Sequence, residues 1–515
     1  KALGPSVLKH KTDDEFSVLM VSPVLVSLVL VLTGLELGEE AGQLLSHVGM
    51  RLAPIAPSSS IWEVSLNLGD AGSTWQPHQF LKCPHNSVSL VRTKMASLTG
   101  KGMLAGVRVV DLTSVVIGPL CTQILADHGA EVIKIESPEG DVGRHLGGRG
   151  HTPGMAPKFL HLNRNKRSVC LDLKKAAGRD VLVRLLRDAD ILAWNVRPAS
   201  MARLGLSYDE VRAINPRIIY CGMFGFGQDG PYAAVPAYDP IIQGVSGVAG
   251  LHELAFGEPR YVPYVMADRT SGLIAVQMIA MALYHRERTG EGQSIEVPMF
   301  ENMATQVLTE HLYLRTYLPP IGDAGDPRLV NPYYAPSPTL DGYICISANT
   351  NAQVFPLLDA MGLSHLKDDP RYCDVAARFA NVVEFYRLRD EALRQQTTAF
   401  WLDVCREHDI PAAPYNTLDS LADDPHLKAV GLLVEREHPT EGRILDIRPA
   451  NHVSAGEREA WLPAPHLGEH TLEVLQEVGL SPSQVQTLLA CGAARAHTPQ
   501  RPPGPPLDSP AQPGG

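Results

Sequence analysis

"VRVVDLTSVVIGPLCTQILADHGAEVIKIE", Val107 to Glu136, reads as strand, helix, strand. "VRVVDLT" is a short apolar run of β-branched residues, as expected of a strand buried on both faces. "GPLCTQILADHGA" follows as a short helix and "EVIKIE" as a second strand. The alternation continues through the strand "SVCLDLK", the helix "KAAGRDVLVRLLRDA", the strand "DILAWNV", the helix "YDEVRAIN" and the strand "RIIYCGMF". Strands alternating with helical segments predict an α/β fold, a parallel sheet with helices on its faces. A ligand is expected at the carboxyl ends of such strands.

Working outward, residues 328–425 carry the strand-like "GYICISA" and helices such as "VFPLLDAMG" and "VVEFYRLRDEALRQQ", which predicts a smaller α+β domain. The expected organisation is therefore a large domain over 103–327, the small domain over 328–425, and a return to the large domain over 426–495. Residues 1–102 differ in character. "FSVLMVSPVLVSLVLVLTGL", Phe16 to Leu35, is free of charge and long enough to cross a bilayer. We expect 1–102 to lie outside the catalytic fold, as sequence upstream of a start at Met95 or Met103, with a membrane anchor or targeting segment as the alternative. The Pro- and Gly-rich tail, 496–515, is expected to be disordered.

The chain has 515 residues, 44% hydrophobic and 20% charged, enough for more than one core. A net charge of −11 argues against a nucleic-acid surface, though local basic groups still allow an anionic ligand. Eight scattered cysteines, with no CxxC pair and no His at ligand spacing, read as reduced residues of a cytoplasmic protein and not as a metal site.

Several segments carry candidate chemistry. In "YVMADRTSGLIAVQMIAMALYHRERTGEGQ" one carboxylate, Asp268, stands ahead of a long apolar helix that Gly290 should stop. It reads either as an ordinary N-cap or as a working carboxylate favoured by the helix dipole. Arg164, Lys166, Arg167, Lys174 and Lys175 surround a short strand, either as anion ligands or as a solvated edge. Asn195, Arg197 and Arg203 follow another strand and are placed to meet phosphates on the same rim. "GFGQDG", Gly225 to Gly230, satisfies G-x-G-x-x-G, but Pro231 and Tyr232 follow where a dinucleotide site needs a helix; we read it as a loop.

Taken together, "LAGVRVVDLTSVVIGPLCTQILADHGAEVIKIESPEGD", "LNRNKRSVCLDLK", "NVRPASMARLGLSYDEVRAINPRIIYCGMFGFGQDGPY", "AYDPIIQGVSGVAG" and "HRERTGEGQSIEVPMFE" resemble the class III CoA-transferases, the CaiB/BaiF family. The resemblance covers about 103–495. It implies a Rossmann-like large domain built from both ends of the chain, an inserted small domain, and an interlocked homodimer. It places the family's nucleophile on Asp268 and its CoA-lining positions on Val115, Ile117, Leu171, Lys174, Asn195 and Arg203. Tyr238 falls where the family's 2-methylacyl-CoA racemases have the His that partners the Asp. The formyl-CoA transferase branch has Gln at Val116, Arg at Ser137 and a run of glycines that "RLVNPYYAPSPTLDGY" lacks, so formyl or oxalyl chemistry is not implied.

The expected reaction moves CoA from an acyl-CoA thioester to a carboxylic acid through a covalent aspartyl intermediate. Coenzyme A enters as a substrate thioester, with no resident cofactor or metal and no nucleic acid; a membrane is a partner only if 16–35 is an anchor. Tyr ionises near 10 and is a poor base at neutral pH, which favours transfer over racemisation; His161 and His252 are the alternative bases.

Overall fold

The computed structural model describes residues 102–454, 456 and 461–498, with the backbone of two earlier strands. The expectations for 16–35 and for the tail beyond 498 lie outside the described residues. In the first of two units, residues 1–84, the described residues are the antiparallel pair β1 (Met50–Pro54) and β2 (Trp62–Leu66).

The second unit is built on a sheet whose parallel strands are β3 (Arg108–Leu112), β4 (Glu131–Glu136), β5 (Lys166–Leu171), β6 (Ile191–Trp194), β7 (Ile219–Phe224) and β8 (Gln293–Pro298). A separate three-stranded sheet comprises β9 (Ser337–Pro338), β10 (Tyr343–Ile346) and β11 (Ala412–Pro414), and β12 (Leu433–His438) forms a hairpin with β13 (Gly442–Ile447). The chain then returns: β14 (Ala494–Arg495) pairs antiparallel with β5 and completes a seven-stranded sheet of order β14-β5-β4-β3-β6-β7-β8.

Successive side chains of a strand face opposite sides of a sheet. Val109 of β3 accordingly belongs to one core with Cys121, Leu125, Ala275 and Ile279, while Val110 joins Leu182, Leu186, Val474 and Leu475 on the other face. Both cores are closed by helices, which is why the central strands β3, β6 and β7 are buried on both faces, while the edge strand β8 alternates buried and open positions. "GFGQDG" and the residues after it form turns up to Tyr238, as a loop. One boundary differs from expectation. β5 begins at Lys166, two residues ahead of "SVCLDLK", because the Lys166 side chain is itself buried in the fold, fully enclosed beside Asp111. Among the described residues no helix is long and apolar enough to cross a membrane.

Candidate active site

The parallel strand order runs outward in opposite directions from β3 and β6, the arrangement of a doubly wound sheet, and the crevice between their carboxyl ends is a topological switch point. Asn195, just past β6, bridges that crevice: its side-chain oxygen accepts from Ser114 N at 2.9 Å and its amide donates to Ser114 O at 2.8 Å. The next residue, Val115, has φ of 70°, a left-handed conformation that a β-branched side chain rarely adopts. Such a residue costs on the order of 1–3 kcal/mol and persists only where its surroundings impose it. Here Asp141 imposes it, accepting from Val115 N at 3.0 Å and from Gly143 N at 2.8 Å through the same oxygen. The ammonium of Lys134, fully buried, lies 2.9 Å from Asp141 and donates to Thr113 O at 2.7 Å. Sequence reading missed both residues, since Lys134 lies inside a strand and Asp141 in a loop.

The basic residues around β5 divide sharply. Lys166 lies 3.2 Å from Asp111 and donates to Pro119 O at 3.0 Å and Asn163 Oδ1 at 2.9 Å. Burial lowers its ammonium to about 8 against the pull of Asp111. Arg164 pairs with Asp127 at 2.7 Å, and Arg167 with Glu131 and Glu477, both at 2.8 Å. These three are structural cations, contrary to the reading that makes them anion ligands, because each already faces a carboxylate. Lys175 donates to the Cys491 carbonyl at 2.6 Å. Lys174 remains exposed, with no carboxylate in ion-pair range among the described residues.

Lys174, Leu171 and Arg203 line one cleft of about 510 Å³ between the ends of β4 and β5 and the helix Pro198–Arg203. Ser137, Pro138 and Glu139 form its opposite wall. Arg203 is exposed, and among the described residues its side chain hydrogen-bonds Ser200 Oγ at 2.8 Å through one nitrogen, so its guanidinium keeps donors to spare. Ile117, by contrast, is buried in the core, so only its backbone stands at the turn. Among the described residues no cluster of His, Cys, Asp or Glu is arranged to hold a metal.

Asp268 lies in the first turn of the helix Met266–Thr289, which Gly290 ends in the left-handed conformation. It is not the N-cap: Val265 occupies that position, without a side-chain bond. Val265 packs with Val115, Val116, Leu120 and Leu162, which seats the start of this helix against the strained turn. Gly272, one turn on, permits that approach, since a Cβ there would lie 2.8 Å from Ile117 O. The expectation that the helix terminus keeps Asp268 ionised is corrected here. The leading amides are taken by Asp239, which accepts from Ala267 N at 2.7 Å and Asp268 N at 3.1 Å. Burial first, and then the charge of Asp239, push the Asp268 carboxyl up to about 7, against the weaker opposing influence of Lys158 and Arg269.

Tyr238 directly precedes Asp239 and is 72% exposed. Neither alternative base stands free of other contacts: His161 lies 3.6 Å from Asp446, and His252 packs on Phe256 with ring centroids 5.8 Å apart.

The fold and site define an α/β protein with a cleft that Lys174 and Arg203 line at the strand ends, and a half-buried carboxylate, Asp268, in the first turn of a helix whose start packs against the switch-point turn. A family model described as CoA-transferase family III matches residues 104–471. A succinate–glutarate CoA-transferase of Agrobacterium fabrum is 33% identical over 385 residues, covering 73% of this chain and 96% of that one. A formyl-CoA:oxalate CoA-transferase of Bradyrhizobium is 33% identical, covering 76% and 97%. The crystal structure of a CAIB/BAIF family protein from Brucella suis superposes with a TM-score of 0.63 at 31% identity, over 73% of this chain and all of that one. The chain belongs to CoA-transferase family III, the CaiB/BaiF family.

Proposed function

We propose that this chain moves CoA from an acyl-CoA thioester to a carboxylic acid, with Asp268 as the covalent nucleophile. The observation that carries the reading is the carboxylate itself, half-buried and raised to about 7, in the first turn of a helix whose cap residue Val265 packs with Val115 and Val116. A desolvated, more basic carboxylate is a better nucleophile than one in water. Its oxygen attacks the thioester carbonyl; the C–S bond breaks, and CoA thiolate leaves a mixed anhydride. The thiolate then attacks the Asp268 carbonyl of that anhydride, releasing the donor acid and forming an aspartyl-CoA thioester. The acceptor carboxylate repeats the sequence in reverse and regenerates Asp268, with no net proton consumed.

Lys174 and Arg203 would hold the phosphates of CoA, for which charge-assisted bonds are suited. Val115, Asn195 and the Ile117 backbone would border the pantetheine path toward Asp268. The names of the relatives, succinate–glutarate among them, support short dicarboxylic acids as acceptors. A homodimer fits the exposed apolar residues along the Asp268 helix, Leu273, Met281 and Tyr284, which a partner would cover.

Asp268→Ala should reduce transfer by roughly a thousandfold or more while leaving CoA binding intact, and donor alone should place a hydroxylamine-releasable adduct on Asp268 in the unaltered protein. Full activity in the Ala variant refutes covalent catalysis.

A second reading is racemisation of a 2-methylacyl-CoA, favoured by one observation: a carboxyl near 7 is matched to proton transfer at neutral pH. It needs a second base opposite Asp268, and Tyr238 is the candidate. Turnover in D₂O separates the two readings, since racemisation places deuterium on the α-carbon and transfer leaves that carbon untouched.

A further inference from the structure

Asp239 makes contacts that an ordinary helix cap does not need. One carboxylate oxygen accepts from Ala267 N and Asp268 N, at 2.7 and 3.1 Å, and the other accepts from Gln243 Nε2 at 2.6 Å. Gln243 is itself locked. Its oxygen accepts from Val262 N at 2.8 Å and its amide also donates to Tyr264 O at 3.1 Å, tying it to the strap that leads into the Asp268 helix. Three donors thus converge on Asp239 from two directions. An asparagine offers an acceptor to one direction only, and Gln243 cannot turn over to accommodate it without abandoning Val262.

We propose that Asp239 is a positioning residue for the nucleophile: by occupying the leading amides of the Met266–Thr289 helix with a negative charge, it withholds the helix terminus from the Asp268 anion. The proposal deepens the transferase reading and rests on it. A helix N-terminus left open stabilises an anion in its first turn, which lowers both basicity and nucleophilicity. Burial already raises the Asp268 carboxyl, and the charge of Asp239 on those amides adds to the rise. The surrounding charges do not cancel the effect. Lys158, on the helix Pro157–Asn163, and Arg269, beside Asp268, both act to lower its carboxyl, yet the balance lies upward. The Val115–Ile117 turn contributes no charged side chain, and the strap presents Tyr264, on whose ring Arg269 stacks at 5.5 Å.

The consequence is a division of roles between the two acids. Asp268 reacts; Asp239 is never acylated, because both of its oxygens face N–H donors of the protein. The arrangement also sets a pH response. Asp268 is the nucleophile only when ionised, so adduct formation should rise with pH through about 7 and then level off.

The test is a ¹³C-aspartate NMR titration of the full chain, with Asp268→Ala identifying the resonance, followed by adduct formation against pH in Asp239→Asn. The unaltered protein should show an Asp268 carboxyl titrating near neutrality. In Asp239→Asn the midpoint should fall by about one pH unit or more, and the high-pH plateau of adduct formation should drop roughly threefold to tenfold, with the donor KM unchanged. Asp239→Glu, which keeps the charge, should restore part of the plateau; a merely structural role would move neither midpoint nor plateau in this paired way. An Asp268 carboxyl titrating below pH 5 in the unaltered protein overturns the proposal whether or not the variants fold, and so does an unshifted midpoint in folded Asp239→Asn. The titration needs no turnover. A neutral-range midpoint without any adduct therefore leaves the Asp239–Asp268 coupling standing and removes the transferase reading.

Discussion

Asp111 and Asp268 are two acids withdrawn from solvent in the same α/β unit, and their carboxyls shift in opposite directions. Asp111 is fully enclosed, and burial alone would push its carboxyl up. The ammonium groups of Lys166 and Lys134 and the hydroxyls of Thr113 and Thr122 outweigh burial and hold it below the usual range. Asp268 is less enclosed, yet its largest charged influence is another carboxylate, Asp239, and its carboxyl rises to about 7. Burial acts in the same direction on both; the partners decide the outcome. A paired buried carboxylate gains from its ionised form, and one set beside a like charge is held at a cost in stability.

The largest expected break in this comparison is on the paired side. Lys166→Met leaves Asp111 with one ammonium fewer in a dry site, and removing one partner of a buried pair costs about 3–5 kcal/mol. Denaturant unfolding should show that loss, and a change within error would mean that Lys134 alone suffices.

On the other side the sign reverses. Folded Asp268 keeps its proton up to about pH 7, while the unfolded chain releases it near 3.8. Between those values the folded state binds more protons, so this group's contribution to stability falls as pH rises. Asp268→Asn should therefore be inactive yet more stable than the unaltered chain by roughly 1–2 kcal/mol at pH 8, allowing for solvent screening. The two should converge near pH 4. Thermal unfolding at both pH values measures the difference, and equal stability at pH 8 would remove the strained-carboxylate account.

The smallest effects belong to the exposed rim. Lys174→Ala or Arg203→Ala should raise the KM for acyl-CoA about threefold to tenfold with little change in kcat, because each contributes one solvent-exposed phosphate contact. The effect should shrink as salt rises. Unchanged KM in both variants would return them to the solvated-edge reading.

Much of the sheet was legible from residues 107–224, where apolar runs bounded by glycines and polar turns left few alternatives. Asp268 was legible as a lone carboxylate at a helix start, and its role only through the family resemblance. The inference about its ionisation was wrong for a reason no local pattern carries. Asp239 lies 29 positions earlier, next to a proline, and looks like the acidic first turn of its own short helix. The same limit applied to the basic cluster around β5. Arg164, Lys166, Arg167 and Lys174 look alike in one dimension, and only their contacts separate three structural cations from one left exposed at a cleft.

By itself, then, the amino-acid order determined the strand–helix alternation, the parallel sheet it implies, the stop at Gly290 and the place of Asp268 at a helix start. These follow from periodicity and backbone preferences that act over a few residues. The tertiary structure alone decided the left-handed Val115, the burial of Lys166, the capping of the Asp268 helix by Asp239, and hence the protonation of Asp268. Electrostatic effects depend on distance through space and on the exclusion of water, and neither quantity is written in the spacing of residues along the chain.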